Sequence, residues 1–224
     1  MPTESATPGL AGDLVRIHRV ITRGLAIGLE KGHYFKQAGF SEISLQQGFC
    51  DYSRSLATVL SGHHQAEDVV AFPAFQKRLP QGPYEHLAAQ HRQIEALLVS
   101  THQAVNEMNE TGGDGLDWLI DDLNRITEIW EPHIRMEESI FSQEALDEVM
   151  GQVEQENLDA QIGKFSSEHS MPPHLIVPFV LFNLNNEDRA IYLSHMPGNI
   201  MGDLVLKAWK EQWAPMKPFL LGQD

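Results

Sequence analysis

Two stretches of the chain repeat one spacing of histidine and glutamate: His63-x-x-x-Glu67 in SGHHQAEDVVAFPAF and His133-x-x-x-Glu137 in EPHIRMEESIF. On an α-helix this spacing puts both side chains on one face, a turn apart, where they can hold one cation together. Two more histidines, His18 and His91, fall inside apolar stripes of their own. Imidazole nitrogen with carboxylate oxygen suits iron, manganese or zinc. Carboxylates able to bridge two ions favour a dinuclear iron or manganese site between helices. Cys50 is the single thiol, which excludes cysteine-rich zinc and iron–sulfur chemistry.

A buried imidazole or carboxylate without a partner is costly, so such groups persist where something satisfies them. One interior histidine is ordinary core, bonded to backbone or to a nearby glutamate. One on the stripe of each of four helices, two of them followed a turn later by glutamate, is better explained by a shared metal. The candidate ligands are therefore His18, His63, Glu67, His91, His133 and Glu137. His64, with Asp68 four residues on, lies one position out of phase and is assigned an outer role, orienting a ligand or gating access. Glu95, four residues after His91, is a candidate extra ligand or outer partner. His33, His86, His102, His169, His174 and His195 are read as ordinary flank, loop or tail residues.

These residues need rigid elements to hold them. Leu10, Leu14, Ile17, Ile21 and Leu25 recur at three- and four-residue steps and predict a helix around His18. Phe49, Tyr52, Leu56, Val59 and Leu60 lead into His63 and Glu67, with Ser41 expected as N-cap. After the breaker RLPQGPYE, the residues Leu87, Ile94, Leu98 and Val105 carry His91. After NETGGDG, the run Leu116, Leu119, Leu123, Ile126 and Trp130 carries His133 and Glu137. Pro132 lacks a helical N–H and predicts a kink or bulge that aims His133. Short Gly/Pro connections make neighbouring helices antiparallel, so the expected fold is all-α, an up-down-up-down four-helix bundle over 10–150. Residues 1–9 are expected to be disordered, 151–173 to be a polar linker, and 174–224 to form two or three short helices packed on the bundle.

With 16 Lys+Arg against 31 Asp+Glu, the chain carries a formal charge of −15. That charge opposes nucleic acid and anionic membrane surfaces, so neither is expected as a partner. The longest apolar run, HLIVPFVLFNL, is too short for a bilayer and contains Pro178. The start MPTESATPG has no basic or apolar leader pattern, and a cytoplasmic location is expected. No phosphate loop, dinucleotide fingerprint or nucleophile motif is present.

Taken together, RIHRVITRGL, HHQAEDVVAFPAF, AAQHRQIEALL and EPHIRMEESIF resemble hemerythrin and the wider hemerythrin-like, or HHE cation-binding, domains. The resemblance covers about residues 10–150. It implies an antiparallel bundle around an oxo- or hydroxo-bridged non-haem diiron centre, with the six candidate residues at the ligand positions. Hemerythrin proper has a second helix-3 histidine four residues from the first. Leu87 and Glu95 flank His91 at that distance, a departure that resembles the HHE branch and argues against simple dioxygen carriage.

Three functions are consistent with these residues. The first is a diiron protein that binds dioxygen, peroxide or iron in oxygen handling, redox sensing or iron storage. The second is a diiron oxidoreductase that disproportionates peroxide or oxidises a small organic substrate, with Trp118, Trp130 or the aromatic tail lining a pocket. The third is a zinc-bound or metal-free bundle acting as a protein-interaction module.

Overall fold

The stripe that begins at Leu10 forms α1, Leu10–Ala38, longer at its C-terminal end than the stripe predicts. It stops at Gly39, whose positive φ of 72° suits glycine and whose N–H donates back to the Phe35 carbonyl at 2.8 Å. In a computed structural model the chain is described over residues 9–111 and 114–222. The expected disorder of 1–9 therefore falls, apart from Gly9, outside the described residues.

The second helix, α2, runs Ile43–Ala66. Ser41 does not cap it; Glu42 takes that position without a side-chain cap bond. The helix widens into a π-helical turn over Glu67–Ala71 and resumes as α3, Phe72–Gln76, with Pro73 in its first turn. After the Pro/Gly breaker come α4, Tyr84–Thr111, and α5, Leu116–Ile140. The bulge expected at Pro132 is absent, and α5 is continuous through it. The wide turn lies instead in the second helix, at Glu67.

The four long helices close a ring, with α1 against α2 and α5, and α4 against the same two. Their inward stripes and the C-terminal segment share one apolar cluster: Ile21, Leu25, Phe49, Leu56, Ile94 and Ile126 pack with Phe179, Phe182, Trp213 and Phe219. A second cluster, with Leu10, Phe72, Phe75, Leu87 and Phe141, fills the other end. The histidines and glutamates form a polar layer between the two.

Residues 151–173, expected as a polar linker, are mostly helical. A short helix α6, Gln143–Val149, is capped by the Ser142 hydroxyl, which accepts from the Ala145 N–H at 3.3 Å. The polar stretch after it is helix α7, Gln152–His169, which buries only Gln155 and Leu158. Then come α8, Pro173–Asn183, and α9, Asn186–Ser194. A π-helical segment, Ile200–Ala208, is followed by α10, Lys210–Trp213, and a 3-10 turn, Ala214–Phe219. The described residues contain no strand.

Arginines on the outer face of α1 fix this C-terminal part. Arg19 donates to Asp188 at 2.9 Å, and Arg23 donates to the Phe219 carbonyl at 3.0 Å and to Asn183. Tyr52 on α2 donates to the same Asn183 at 3.0 Å. These bonds satisfy polar groups that the aromatic tail would otherwise strand. No helix among the described residues is long and apolar enough to cross a membrane.

Candidate metal centre

Each of the four long helices contributes to the polar layer, and the six candidate residues come together in it. Their exposures run from 0 % for His133 and Glu137 to 7 % for His63. Two groups form, each with its donor atoms within 4.8 Å of one another: His18, His63, Glu67 and Glu137, and His64, Glu67, His91 and His133. Glu67 belongs to both. Glu137 also reaches the second group, with Oε2 3.3 Å from His133 Nε2 and Oε1 4.0 Å from His91 Nε2. Across the layer, Glu67 Oε1 lies 3.5 Å from His63 Nε2, Glu67 Oε2 lies 3.5 Å from His91 Nε2, and Glu137 Oε2 lies 3.3 Å from His18 Nε2.

His64, assigned an outer role from its helical phase, stands inside the layer. It is 3 % exposed, its ring stacks on His91 with centroids 4.0 Å apart, and it stands among the donors of the second group. His63 and His64 are adjacent, so an ordinary helix points their side chains about 100° apart. Glu67, at the start of the wide turn, lies within reach of both groups. Glu95 does not join them. Ile94 and Leu98 fill the interior around that turn of α4, and the Glu95 carboxylate faces outward, accepting from the Ser61 hydroxyl at 2.9 Å. Trp118 is 57 % exposed and lines nothing at the centre.

Many of these inward atoms have no hydrogen-bond partner: His18 Nε2, His63 Nε2, both nitrogens of His64, Glu67 Oε2 and both oxygens of Glu137. Left so, each costs the desolvation of a buried polar group, about 1–3 kcal/mol. Cations at the two groups would accept an electron pair from one nitrogen of each imidazole and from the carboxylate oxygens, and nitrogen with carboxylate oxygen is the donor set that a divalent transition metal takes. The residues present fit such an ion.

Protonation in the metal-free centre follows from the same burial. Burial, then the neighbouring imidazoles, hold His63 and His64 well below the usual histidine range, so both are neutral donors. Burial, then the Glu137 and Asp68 charges, push Glu67 well above the usual carboxylate range. Burial also works against the Glu137 charge, but the His133 and His18 imidazoles, each with Nε2 3.3 Å from its Oε2, outweigh it and hold that carboxyl below its normal range. For His18, burial is outweighed by Glu137 and Glu138, and its pKa rises. The same cavity thus favours the protonated form of one carboxyl and the ionised form of the other.

Apolar rings seal the layer. Trp130 stands 5.3 Å from the His18 ring and 5.9 Å from those of His63 and His133, and Phe72 stacks 5.4 Å from His91. A cavity of about 890 Å³ opens elsewhere, between the wide turn, α3 and α7, and none of the donor residues lines it.

A separate group, at the surface, joins α1, α7 and the end of α9. The donor atoms of Asp13, Asp159 and His195 lie within 4.8 Å of one another, and His195 Nδ1 is 3.2 Å from Asp13. These residues lie far apart in sequence, and no local spacing signals their meeting. Burial and the Asp13 charge push Asp159 up to about 6. A carboxyl raised in the fold favours folding when protonated, so its contribution is full at low pH and fades as pH rises through about 6. Asp159→Asn is therefore expected to raise the melting temperature at pH 8 and leave it unchanged at pH 4. An equal shift at both pH values would refute this assignment.

A family model for the hemerythrin HHE cation binding domain matches residues 12–145. No curated protein and no solved structure matches the chain.

Proposed function

The chain belongs to the hemerythrin HHE cation-binding family, and from that premise we propose that it is a non-haem diiron protein binding dioxygen or peroxide, in oxygen handling, redox sensing or iron storage. The observation that carries the reading is the pair of donor groups sharing Glu67, whose inward atoms lack protein partners. Two adjacent groups bridged by carboxylates suit two ions, and mixed imidazole and carboxylate donors suit iron, with manganese or zinc less favoured.

His18, His63, His64, His91 and His133 would hold the ions through nitrogen, and Glu67 and Glu137 would reach across both positions. Bound iron would supply reversible electron transfer to dioxygen or peroxide. Glu137, held ionised by its histidines, offers its oxygens without first losing a proton. Glu67 must release one, so metal uptake is linked to proton release and strengthens as pH rises. Trp130 and Phe72 exclude water from the layer. That seal, with no donor residue on the 890 Å³ cavity, favours a diatomic or peroxide-sized ligand over a bulkier organic substrate.

Metal analysis of aerobically purified protein, with its visible spectrum before and after reduction and reoxidation, tests the reading. About two irons per chain, with bands that bleach on reduction and return with oxygen or peroxide, is the expected result. Stoichiometric zinc, or no metal, would overturn it.

A further inference from the structure

Each inner glutamate is followed directly by a second acid, Glu67 by Asp68 and Glu137 by Glu138. One residue turns a helix by about 100°, so while the glutamates face the interior, their neighbours look sideways toward the next helix. There each meets a histidine from behind. Asp68 Oδ1 lies 2.9 Å from Nδ1 of His91 on α4, and Glu138 Oε1 lies 2.9 Å from Nδ1 of His18 on α1. In both imidazoles the other nitrogen, Nε2, points inward, 3.5 Å from Glu67 in His91 and 3.3 Å from Glu137 in His18.

The two arrangements correspond residue for residue when α2 is exchanged with α5 and α4 with α1. The spacing His-x-x-x-Glu is thus the visible part of a longer unit, His-x-x-x-Glu-acid. Its last residue serves not its own histidine but the one on the adjacent helix.

We propose that Asp68 and Glu138 are positioning residues for the bound metal, fixing His91 and His18 with Nε2 aimed at the ions; this rests on the metal-binding reading above. A carboxylate that accepts the Nδ1–H selects the tautomer with a free Nε2 lone pair, locks the ring orientation and raises its donor strength. The side chains of Asp68 and Glu138 are 38 % and 34 % exposed. Water is within their reach, so the acids do not need these bonds to satisfy their own burial. The buried histidines gain the orientation. Gln90 plays a similar part for His133, with Oε1 3.0 Å from its Nδ1, but the residue in the matching place before His18 is Ile17, which has no acceptor. Only the acids recur.

Fe(II) affinity of the full-length, metal-stripped protein, measured anaerobically by competition with a chromophoric chelator, tests the assignment. Asp68→Ala and Glu138→Ala are each expected to weaken binding about 10- to 100-fold in protein whose helical circular dichroism shows it still folded at the assay temperature. Asp68→Asn and Glu138→Gln keep an oxygen acceptor and are expected to recover most of the loss. Affinities within about twofold of the parent in both alanine variants would overturn the proposal, against the larger loss expected for an outer partner. So would equal losses in the alanine and amide variants, which would assign the effect to charge alone. A parent that binds no Fe(II) would overturn the metal reading itself, so the two failures are read apart.

Discussion

Glu67→Gln is expected to lower iron from about two per chain to well below one, and at the same time to stabilise the metal-free protein. The two effects have opposite signs because the carboxyl plays opposite parts in the two states. As a metal ligand, Glu67 would serve both donor groups, to each of which its carboxylate belongs. An amide would be a poor substitute for the anionic oxygens that Glu67 offers to both groups, so metal retention in either is expected to suffer. The stabilisation linked to metal goes with it, about 4 kcal/mol at a free metal concentration a thousand times the Kd. Metal-free, the same side chain is a liability. Burial and the Glu137 and Asp68 charges raise its pKa well above normal, so the folded chain must hold a proton that the unfolded chain releases.

A raised carboxyl stabilises the fold relative to its ionised reference only at low pH, and the penalty grows as pH rises above the unfolded value of about 4.3. Glutamine has nearly the same volume and no proton to hold. Metal-free Glu67→Gln is therefore expected to melt above the metal-free parent at pH 7 to 8, with the gap closing toward pH 4. Melting curves with and without Fe(II), across that pH range, check both halves. Parent-like iron content in the variant, or a metal-free variant that melts lower at pH 8, would contradict the assignment.

Much of this centre was legible in sequence because it is local. A four-residue spacing on a helix fixes relative direction, so His63 with Glu67 and His133 with Glu137 could be read as pairs facing one way. His18 and His91 were legible because each interrupts a stripe whose other members, such as Ile21 and Ile94, are fully buried. His64 was harder, since two adjacent histidines cannot both sit on one face of a regular helix, and the wide turn that follows at Glu67–Ala71 has no sequence mark of its own. Pro132 is a mark, yet α5 absorbs it, and a stripe that includes Trp130 and Ile126 holds the helix on either side.

Helix α7 was invisible for a different reason. It buries two residues, Gln155 and Leu158, so its sequence has no apolar period to detect, and it borrows its position from α1, α2 and the wide turn. The outer acids were in plain view beside each glutamate. Their role depends on a neighbouring helix, and that relation appears only once the bundle is assembled.

The C-terminal part is the other place where tertiary contact decides, and Gly48→Ala is expected to expose it. Gly48 lies on α2 where the 3-10 turn Ala214–Phe219 crosses, and a Cβ there would stand 1.9 Å from the Pro215 carbonyl oxygen and 2.5 Å from its carbon. Both are backbone atoms, so no rotamer change relieves the overlap; the tail must lift away. Phe219, 2 % exposed among Phe35, Phe49 and Tyr52, would move with it. Overpacking of this kind costs about 3 kcal/mol, far more than the roughly 0.5–1 kcal/mol that alanine gains over glycine inside a helix. For a chain of this length the melting temperature is expected to fall by roughly 6–12 °C.

Gly163→Ala, inside α7 with open space around its Cβ, supplies the matched control and is expected to raise the melting temperature slightly. Should both substitutions raise it, the tail would not be seated on α2. Should Gly48→Ala lower it while iron content at low temperature holds near the parent's, the tail would be shown to support the bundle without shaping the metal centre, fifteen residues further along the same helix.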